Sequence, residues 1–285
     1  MNPSVRDCLA GGISPQVALA QLLFQGASSA DIAAELALCP PHPRRDELQR
    51  LLAGRERQID ALAAEVAATA DNHDASGATP EQGIARIAAF FDRAVAYSPE
   101  ASVALYSLGD PAILAAATAE IVAWLEAHSV LAPGADVLDL GCGFGRVAAA
   151  LAPRCRSVLG LDVSPGMVEE ARRRHGAVPN LRFEQTGGQD LAGLNEQAFD
   201  LVLAIDSFPY IVQTGDAVAR RHVADAARLL RPGGALCILN LSYRNDDALD
   251  QADAQRWADE AGLLLEVADP SPFALWDGSG YVLRR

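Results

Sequence analysis

The chain has 285 residues, half of them hydrophobic, and a formal net charge of −14 at pH 7. A chain of this length can bury one large core and a smaller accessory unit. The negative charge argues against a nucleic acid as substrate, because clustered Lys and Arg are needed to bind a phosphate backbone. No apolar run reaches the roughly 18 residues of a membrane-spanning helix and the first residues lack a signal-peptide pattern, so we expect no membrane association and a cytoplasmic location.

The first 104 residues are predicted to be almost entirely helical, with Ser14, Ser29 and Thr79 as helix N-caps. Thr79 is followed by Pro80 and Gln82, which is the pattern of a capping box. The predicted helices lie at 15–25, 30–38, 46–70, 80–97 and 111–128. We therefore predict two units, an α-helical N-terminal cap over 1–104 and a second domain over 105–285.

Strand and helix patterns alternate after residue 135. The predicted strands lie at 136–140, 157–162, 181–185, 199–205, 235–242, 263–268 and 280–284. Helices are predicted between most of them, at 144–152, 165–175, 216–230 and 247–261. Parallel strands joined by right-handed helical crossovers form a doubly wound α/β sheet, which is the predicted fold.

The stretch from Val137 to Arg146 joins the first of these strands to a glycine-rich turn and a helix. Gly141, Gly143 and Gly145 permit a sharp bend and a close approach of the backbone to a ligand. Their spacing is G-x-G-x-G, whereas a dinucleotide fingerprint reads G-x-G-x-x-G. Asp139 precedes the turn, and a carboxylate there disfavours phosphate and suits an amine. The turn is therefore predicted to bind a nucleoside cofactor other than a dinucleotide.

The run from Asp139 to Gly145 resembles the first motif of the class I S-adenosylmethionine (SAM) dependent methyltransferases. Three further segments match the family in order and spacing: 159–164, which contains Asp162, then 199–206 and 230–236. The resemblance covers the chain from about residue 105 to the C-terminus. It implies a seven-stranded Rossmann-like sheet closed by an antiparallel hairpin, and SAM as the cofactor.

The resemblance also implies roles for individual residues. Asp139 would attract the methionine ammonium, Asp162 would accept both ribose hydroxyls, and Val163 with Met167 would flank the adenine. Glycines occupy the position after the third strand where the family usually has an acid. The backbone amide of Gly188 or Gln189 could therefore meet an adenine ring nitrogen, and the side chain of Gln189 or Asp190 could accept from the adenine amine; the alternative is that both are turn formers only. The full predicted cofactor set is Tyr106, Asp139, Gly141, Gly143, Asp162, Val163, Met167, Gly188, Gln189, Asp190 and Ala204.

The acceptor should lie beyond the fourth strand, where Asp206 and Tyr210 are predicted catalytic residues; Phe208 in the same loop could equally be a packing residue. His73 is a candidate general base in a polar loop, although a solvated loop histidine is the competing reading. The other histidines, at 42, 128, 175 and 222, are predicted to be surface or helix-end residues. The cysteines form no C-x-x-C pair, so no metal is expected.

The N-terminal helices should cover the site as a lid. The alternative is a homodimer, since Leu48, Leu52, Ile59, Leu62 and Val66 recur at helical spacing; packing within one chain is the favoured interpretation.

The leading hypothesis is a SAM-dependent methyltransferase with a small-molecule acceptor. The alternatives are a non-catalytic SAM-binding or interaction protein and a dinucleotide oxidoreductase, against which the glycine spacing argues. The acceptor atom stays open.

Overall fold

A computed structural model describes residues 1–69 and 78–285. Helices account for most of the described N-terminal part: α1 Pro3–Ala10, α2 Pro15–Phe24, α3 Ser29–Leu38, α4 Pro43–Leu52, α5 Glu56–Thr69, α6 Pro80–Tyr97, the short α7 Pro99–Val103 and α8 Pro111–Ala127. A 3₁₀ turn at Leu105–Ser107 joins α7 to α8. None of the helices in the described ranges combines the length and apolarity that crossing a membrane requires.

The second part is a seven-stranded sheet in the order β3-β2-β1-β4-β5-β7-β6. Its strands are β1 Asp136–Leu140, β2 Ser157–Asp162, β3 Leu181–Gln185, β4 Phe199–Ile205, β5 Leu230–Leu239, β6 Leu264–Asp269 and β7 Gly280–Arg284. Strands β1 to β5 are parallel, and β7 is antiparallel to both β5 and β6. The predicted doubly wound sheet and its closing hairpin are confirmed.

Helices cover both faces of this sheet. They are α9 Arg146–Leu151, α10 Pro165–His175, α11 Phe208–Gln213, α12 Asp216–Leu229 and α13 Asp247–Ala261. Two apolar clusters lie between the sheet and its helices. One is built around Val137, Leu201 and Leu203, and the other around Leu138 and Val202. Successive residues of β1 and β4 thus contribute to opposite clusters, as expected for central parallel strands buried on both faces.

The predicted helix over 46–70 is wrong. The structure has two helices, α4 and α5, separated at Gly54, which has a φ of +77°. A glycine in this left-handed conformation ends a helix at little steric cost. The predicted cap of α3 is also one residue late, because Ser28 rather than Ser29 accepts the Asp31 amide and forms a capping box with Asp31.

Other differences lie at places where the sequence pattern is short. Helix α1 was not predicted, and β5 begins at Leu230 rather than at 235 because Leu230 already pairs with Phe199, ahead of a register shift before Ala235. The predicted loop after β4 contains helix α11. Phe208, at its start, is fully buried against Trp257 with ring centroids 5.7 Å apart, so the packing interpretation of this residue is confirmed.

The helices before α6 have an apolar core of their own. It contains Leu48, Leu52, Ile59 and Leu62, four of the five residues that recur at helical spacing. These four side chains are therefore buried among the N-terminal helices. This burial supports packing within one chain. The N-terminal helices also contact the start of the second part: Arg55 forms an ion pair with Asp110 at 2.5 Å, and Gln58 Nε2 donates to the Leu108 carbonyl at 2.7 Å.

Candidate functional site

A cavity of about 630 Å³ lies at the carboxyl ends of the parallel strands. Its floor comes from the residues that follow β1, β2, β4 and β5, and its roof from helices α2, α5 and α6. Ligands of doubly wound sheets bind outside the carboxyl ends of the strands, where the strand order reverses. In this sheet the reversal lies between β1 and β4, so the cavity occupies the expected position.

The glycine turn forms one wall of the cavity. Gly141 and Gly143 both have positive φ, +71° and +54°. A Cβ added at Gly141 would lie 2.2 Å from the Ser207 Cβ, and one at Gly143 would lie 2.7 Å from Val103 Cγ1. The Ser207 hydroxyl in turn donates to the Leu140 carbonyl at 2.6 Å. The turn is therefore packed tightly between the loop after β4 and the end of α7.

Asp162 ends β2 and is held by backbone amides. Its Oδ2 accepts a hydrogen bond from the Gly143 amide at 2.8 Å, and its Oδ1 accepts one from the Ser164 amide at 2.9 Å. Burial raises the pKa of this carboxyl to about 6, although those amide bonds oppose the shift. Each carboxylate oxygen has two lone pairs, so one remains on each oxygen for a ligand hydroxyl in the cavity.

Helix α6 reaches this loop through Asp92. The Asp92 Oδ1 accepts from the Ser164 hydroxyl at 2.6 Å and from the Gly166 amide at 2.8 Å, at the start of α10. Ser164 donates its own amide to Asp162, so a chain of hydrogen bonds runs from the cap to the buried carboxylate. The predicted lid is thus attached directly to the predicted ribose-binding loop.

We expect Asp92→Asn to weaken the affinity for S-adenosylhomocysteine by about 0.5–1.5 kcal/mol, the usual contribution of a hydrogen bond. The reason is that Ser164 loses a charged acceptor and holds the loop less firmly. Calorimetry on the variant and on Asp259→Asn, an exposed residue of α13, would measure the change. A lower melting temperature with unchanged affinity would mean that Asp92 only stabilises the cap.

Apolar side chains line the cavity beside Asp162. Met167 is buried and lines the wall together with Val163. Gly188, which has a φ of +71°, brings the loop after β3 close to both Val163 and the cap: a Cβ there would lie 2.6 Å from Val163 Cγ1 and 3.0 Å from Ile84 Cγ2. These surfaces suit a flat aromatic ring.

Asp206 follows β4 with a φ of +54°, a strained conformation for a residue other than glycine. Its Oδ1 accepts from Asn240 Nδ2 at 2.8 Å and from the Tyr243 hydroxyl at 3.1 Å. Burial raises the pKa of Asp206 to about 6, against the effect of these two hydrogen bonds. The Tyr210 ring lies edge to face with Tyr243, with ring centroids 5.5 Å apart. The two predicted catalytic residues therefore share one end of the cavity.

Tyr106 lines the cavity from the 3₁₀ turn before α8. The residue is 6% exposed, and its hydroxyl makes no hydrogen bond of good geometry within the described part of the chain. Burial raises the pKa of this phenol to about 12, against the nearby positive charge of Arg146. A buried hydroxyl without a partner carries a free-energy cost that a polar ligand atom in the cavity would remove.

Four residues of the predicted cofactor set do not line the cavity. Asp139 and Ala204 are buried inside β1 and β4. Gln189 bonds Glu81 of α6 at 3.4 Å, and Asp190 lies 4.0 Å from Arg221. Their cofactor roles stay predictions. His73 lies outside the described residues.

Burial raises the pKa of Asp139 to about 7 from an ordinary value of 3.8, while Arg146 acts in the opposite direction. Between about pH 4 and 7 the folded protein therefore keeps a proton on Asp139 that the unfolded chain has already released. We expect this carboxyl to lower the free energy of unfolding as pH rises through that range, by up to about 1.4 kcal/mol per pH unit.

Denaturant titrations of the wild type and Asp139→Asn from pH 4.5 to 7.5 would measure this effect. The two proteins share every other titratable group, so only Asp139 can make the difference between their unfolding free energies depend on pH. We expect this difference to change over that range. A difference that stays constant would contradict the shifted pKa.

The sequence interpretation missed several cavity residues. Asn240 and Tyr243 follow β5, and a polar residue directly after a buried parallel strand was the available signal. No sequence signal pointed to Gln21 and Asp277, because these two residues meet only through the packing of α2 on the segment before β7. The surface assignment of His222 is wrong: it is 2% exposed, lines the cavity and has a pKa lowered by burial.

The strand order, the glycine turn and the position of the cavity define the class I SAM-binding fold. Residues 137–234 match the family profile described as a methyltransferase domain. A trans-aconitate 2-methyltransferase of Methylobacterium nodulans is 40% identical over 153 residues, or 53% of this chain and 50% of that protein. The same-named enzyme of Deinococcus radiodurans is 39% identical over 110 residues, which cover 37% of this chain and 38% of that protein. The chain thus spans half or less of these relatives' lengths.

Among solved structures, a Haemonchus contortus phosphoethanolamine N-methyltransferase in complex with phosphoethanolamine and S-adenosylhomocysteine aligns with a TM-score of 0.57. The alignment has 18% identity and covers 72% of this chain and 49% of that one, so it concerns the fold. The chain is thus similar to methyltransferases over residues 137–234, and its sheet has the strand order of the class I fold. The resemblance of the sequence to this family implies SAM as the cofactor.

The cavity suits this cofactor chemically. Asp162 offers acceptors for two hydroxyls, and Val163 and Met167 offer apolar surface. The buried Tyr106 hydroxyl makes no hydrogen bond of good geometry with the described residues.

Proposed function

We propose that the protein transfers the methyl group of SAM to a small-molecule acceptor held between the helical cap and the sheet. The observation that carries the proposal is that a single cavity is lined by Gly141 and Asp162, by Asp206 and Tyr210, and by side chains of the cap helices α2, α5 and α6. A cofactor at one end would therefore face an acceptor at the other. The proposed division is a cap over 1–104 and a catalytic domain over 105–285.

Bound SAM supplies an activated methyl group with its own leaving group, so the protein mainly has to align the reactants. In the proposed arrangement Asp162 accepts the ribose hydroxyls, Val163 and Met167 flank adenine, and the Tyr106 hydroxyl donates to the methionine carboxylate. Asp206 and Tyr210 contact the acceptor. The cap excludes water from the cavity, which strengthens each polar contact inside it.

Two measurements test this function. Calorimetry should show binding of SAM and S-adenosylhomocysteine and none of NAD. Incubation with methyl-labelled SAM and a fractionated metabolite extract should then yield a labelled small molecule together with S-adenosylhomocysteine, and the Asp162→Ala protein serves as the control. SAM binding without a labelled product from any fraction would favour a non-catalytic SAM-binding protein, and NAD binding would favour an oxidoreductase.

Homodimer formation through the N-terminal helices and a cytoplasmic location stay predictions.

A further inference from the structure

The cavity wall has many carboxylates and, among the described residues, no arginine. The carboxylates belong to Glu65, Asp162, Asp206, Asp247, Asp250 and Asp277. The chain has no lysine at all, so arginine is its only permanently charged basic side chain. His222, the histidine in the wall, has its pKa lowered by burial and is neutral at pH 7. Apart from the positive charge of the cofactor itself, the described residues of the wall offer no charged side chain that would neutralise an anionic acceptor.

Most of these acids already have partners. Arg244 forms an ion pair with Asp250 at 2.5 Å, and Asp162 accepts hydrogen bonds from two backbone amides. Asp206 and Asp277, by contrast, form no ion pair within residues 1–69 and 78–285; Gln21 bonds Asp277, and Asn240 and Tyr243 bond Asp206. Besides burial, the charge of Asp277 raises the pKa of Asp206, whereas Arg146, which lowers it, is not among the residues of the cavity wall. A cationic ligand would relieve this repulsion.

Aromatic rings flank the same place. Tyr210 lies edge to face with Phe91 of the cap at 5.2 Å and with Tyr243 at 5.5 Å, measured between ring centroids. The Tyr243 hydroxyl is bonded to Asp206, so the rings and the carboxylate form one group. Aromatic faces attract ammonium ions, and more strongly where water is excluded.

We propose that the acceptor is an organic amine with an apolar body, whose ammonium group binds Asp206 beside Tyr210 and Tyr243. This rests on the proposed methyl transfer. The apolar body lies against the cap side chains Leu62, Ile87 and Phe91, which line the roof. Asp206 takes one proton from the ammonium, which frees the nitrogen lone pair. The nitrogen then bonds to the methyl carbon, the carbon–sulfur bond breaks, and sulfur keeps the bonding electrons, giving a methylated ammonium and S-adenosylhomocysteine.

This acceptor differs from the one in the names of the trans-aconitate methyltransferases, which is a carboxylate. Those relatives match only part of this chain. A carboxylate acceptor placed at Asp206 and Asp277 would add negative charge beside two acids that have no ion pair in the described part of the chain, which disfavours binding.

The test compares matched ligands on the protein saturated with S-adenosylhomocysteine. The pairs are benzylamine with phenylacetate and 2-phenylethylamine with 3-phenylpropanoate, together with trans-aconitate. We expect each amine to bind at least about tenfold more tightly than its paired carboxylate. Equal or tighter binding of the carboxylates or of trans-aconitate, or no binding by any of the ligands, would overturn the proposal. If S-adenosylhomocysteine itself does not bind, the proposed function fails first.

Two variants then locate the amine. Asp206→Asn should remove the preference for amines and leave the affinity for S-adenosylhomocysteine within about twofold. Tyr210→Leu should weaken the amines more than the carboxylates, whereas Tyr210→Phe should keep the preference because the ring remains. The matched charge control is Asp259→Asn on the outer face of α13. If Asp206→Asn weakens S-adenosylhomocysteine as much as the amines, the carboxylate belongs to the cofactor site and the proposal is wrong.

Discussion

Gly141→Ala should lower the free energy of unfolding by about 2–5 kcal/mol and abolish measurable SAM binding. The new Cβ would lie 2.2 Å from the Ser207 Cβ, and the residue would have to keep a φ of +71°. Ser207 cannot move away freely, because its hydroxyl donates a hydrogen bond to the Leu140 carbonyl at 2.6 Å. Chemical denaturation and calorimetry would measure the two effects.

Gly193→Ala is the matched control for this substitution. Gly193 has no positive φ, and an added Cβ would have no heavy atom within 4 Å. This variant should therefore keep the wild-type stability and SAM affinity. If Gly141→Ala behaved in the same way, the tight contact between the glycine turn and the loop after β4 would be wrong.

Asp162→Ala should weaken SAM affinity by about 1–3 kcal/mol, the range for hydrogen bonds to a charged group. It removes both proposed ribose acceptors and also leaves the Gly143 amide without its partner. Asp162→Asn keeps one oxygen acceptor and a similar volume, so it should lose less affinity while folding normally. Calorimetry at pH 8 on all three proteins would give the order wild type, Asn, Ala.

The pH dependence provides a second readout at this residue. Because burial raises the pKa of the Asp162 carboxyl to about 6, protonation below that pH turns an acceptor into a donor. Wild-type SAM affinity should therefore fall as pH drops from 8 to 5, and the affinity of Asp162→Asn should change less. Unaltered affinity of Asp162→Ala at pH 8, or the same pH profile in wild type and Asp162→Asn, would contradict the ribose role.

The sheet was predictable because its pattern is local. Short apolar runs such as Val158 to Leu161 are bounded by turn residues, and the glycine turn fixes where the first crossover begins. Gly54 shows the limit of the same reasoning. The apolar spacing continues across it from Leu52 to Ile59, so periodicity alone predicted one helix where a left-handed glycine separates two.

The proposed cofactor end of the cavity was easier to predict from the sequence than the proposed acceptor end. Asp162 is specified by the strand it ends and by its distance from Gly141, and both are readable in the sequence. The residues around Asp206 come from separate elements: Asn240 and Tyr243 from the segment after β5, and Phe91 from the cap. Their meeting depends on sheet order and on the docking of α6, and neither is encoded at fixed spacing.

In the proposed arrangement one cavity holds the SAM nucleoside at Asp162, with its sulfur facing Asp206. A crystal structure with S-adenosylhomocysteine tests this most directly. We expect the ribose hydroxyls within hydrogen-bond distance of both Asp162 oxygens, adenine between Val163 and Met167, and the sulfur on the side of Tyr210. A nucleoside bound elsewhere, or one whose sulfur faces away from Asp206, would contradict it.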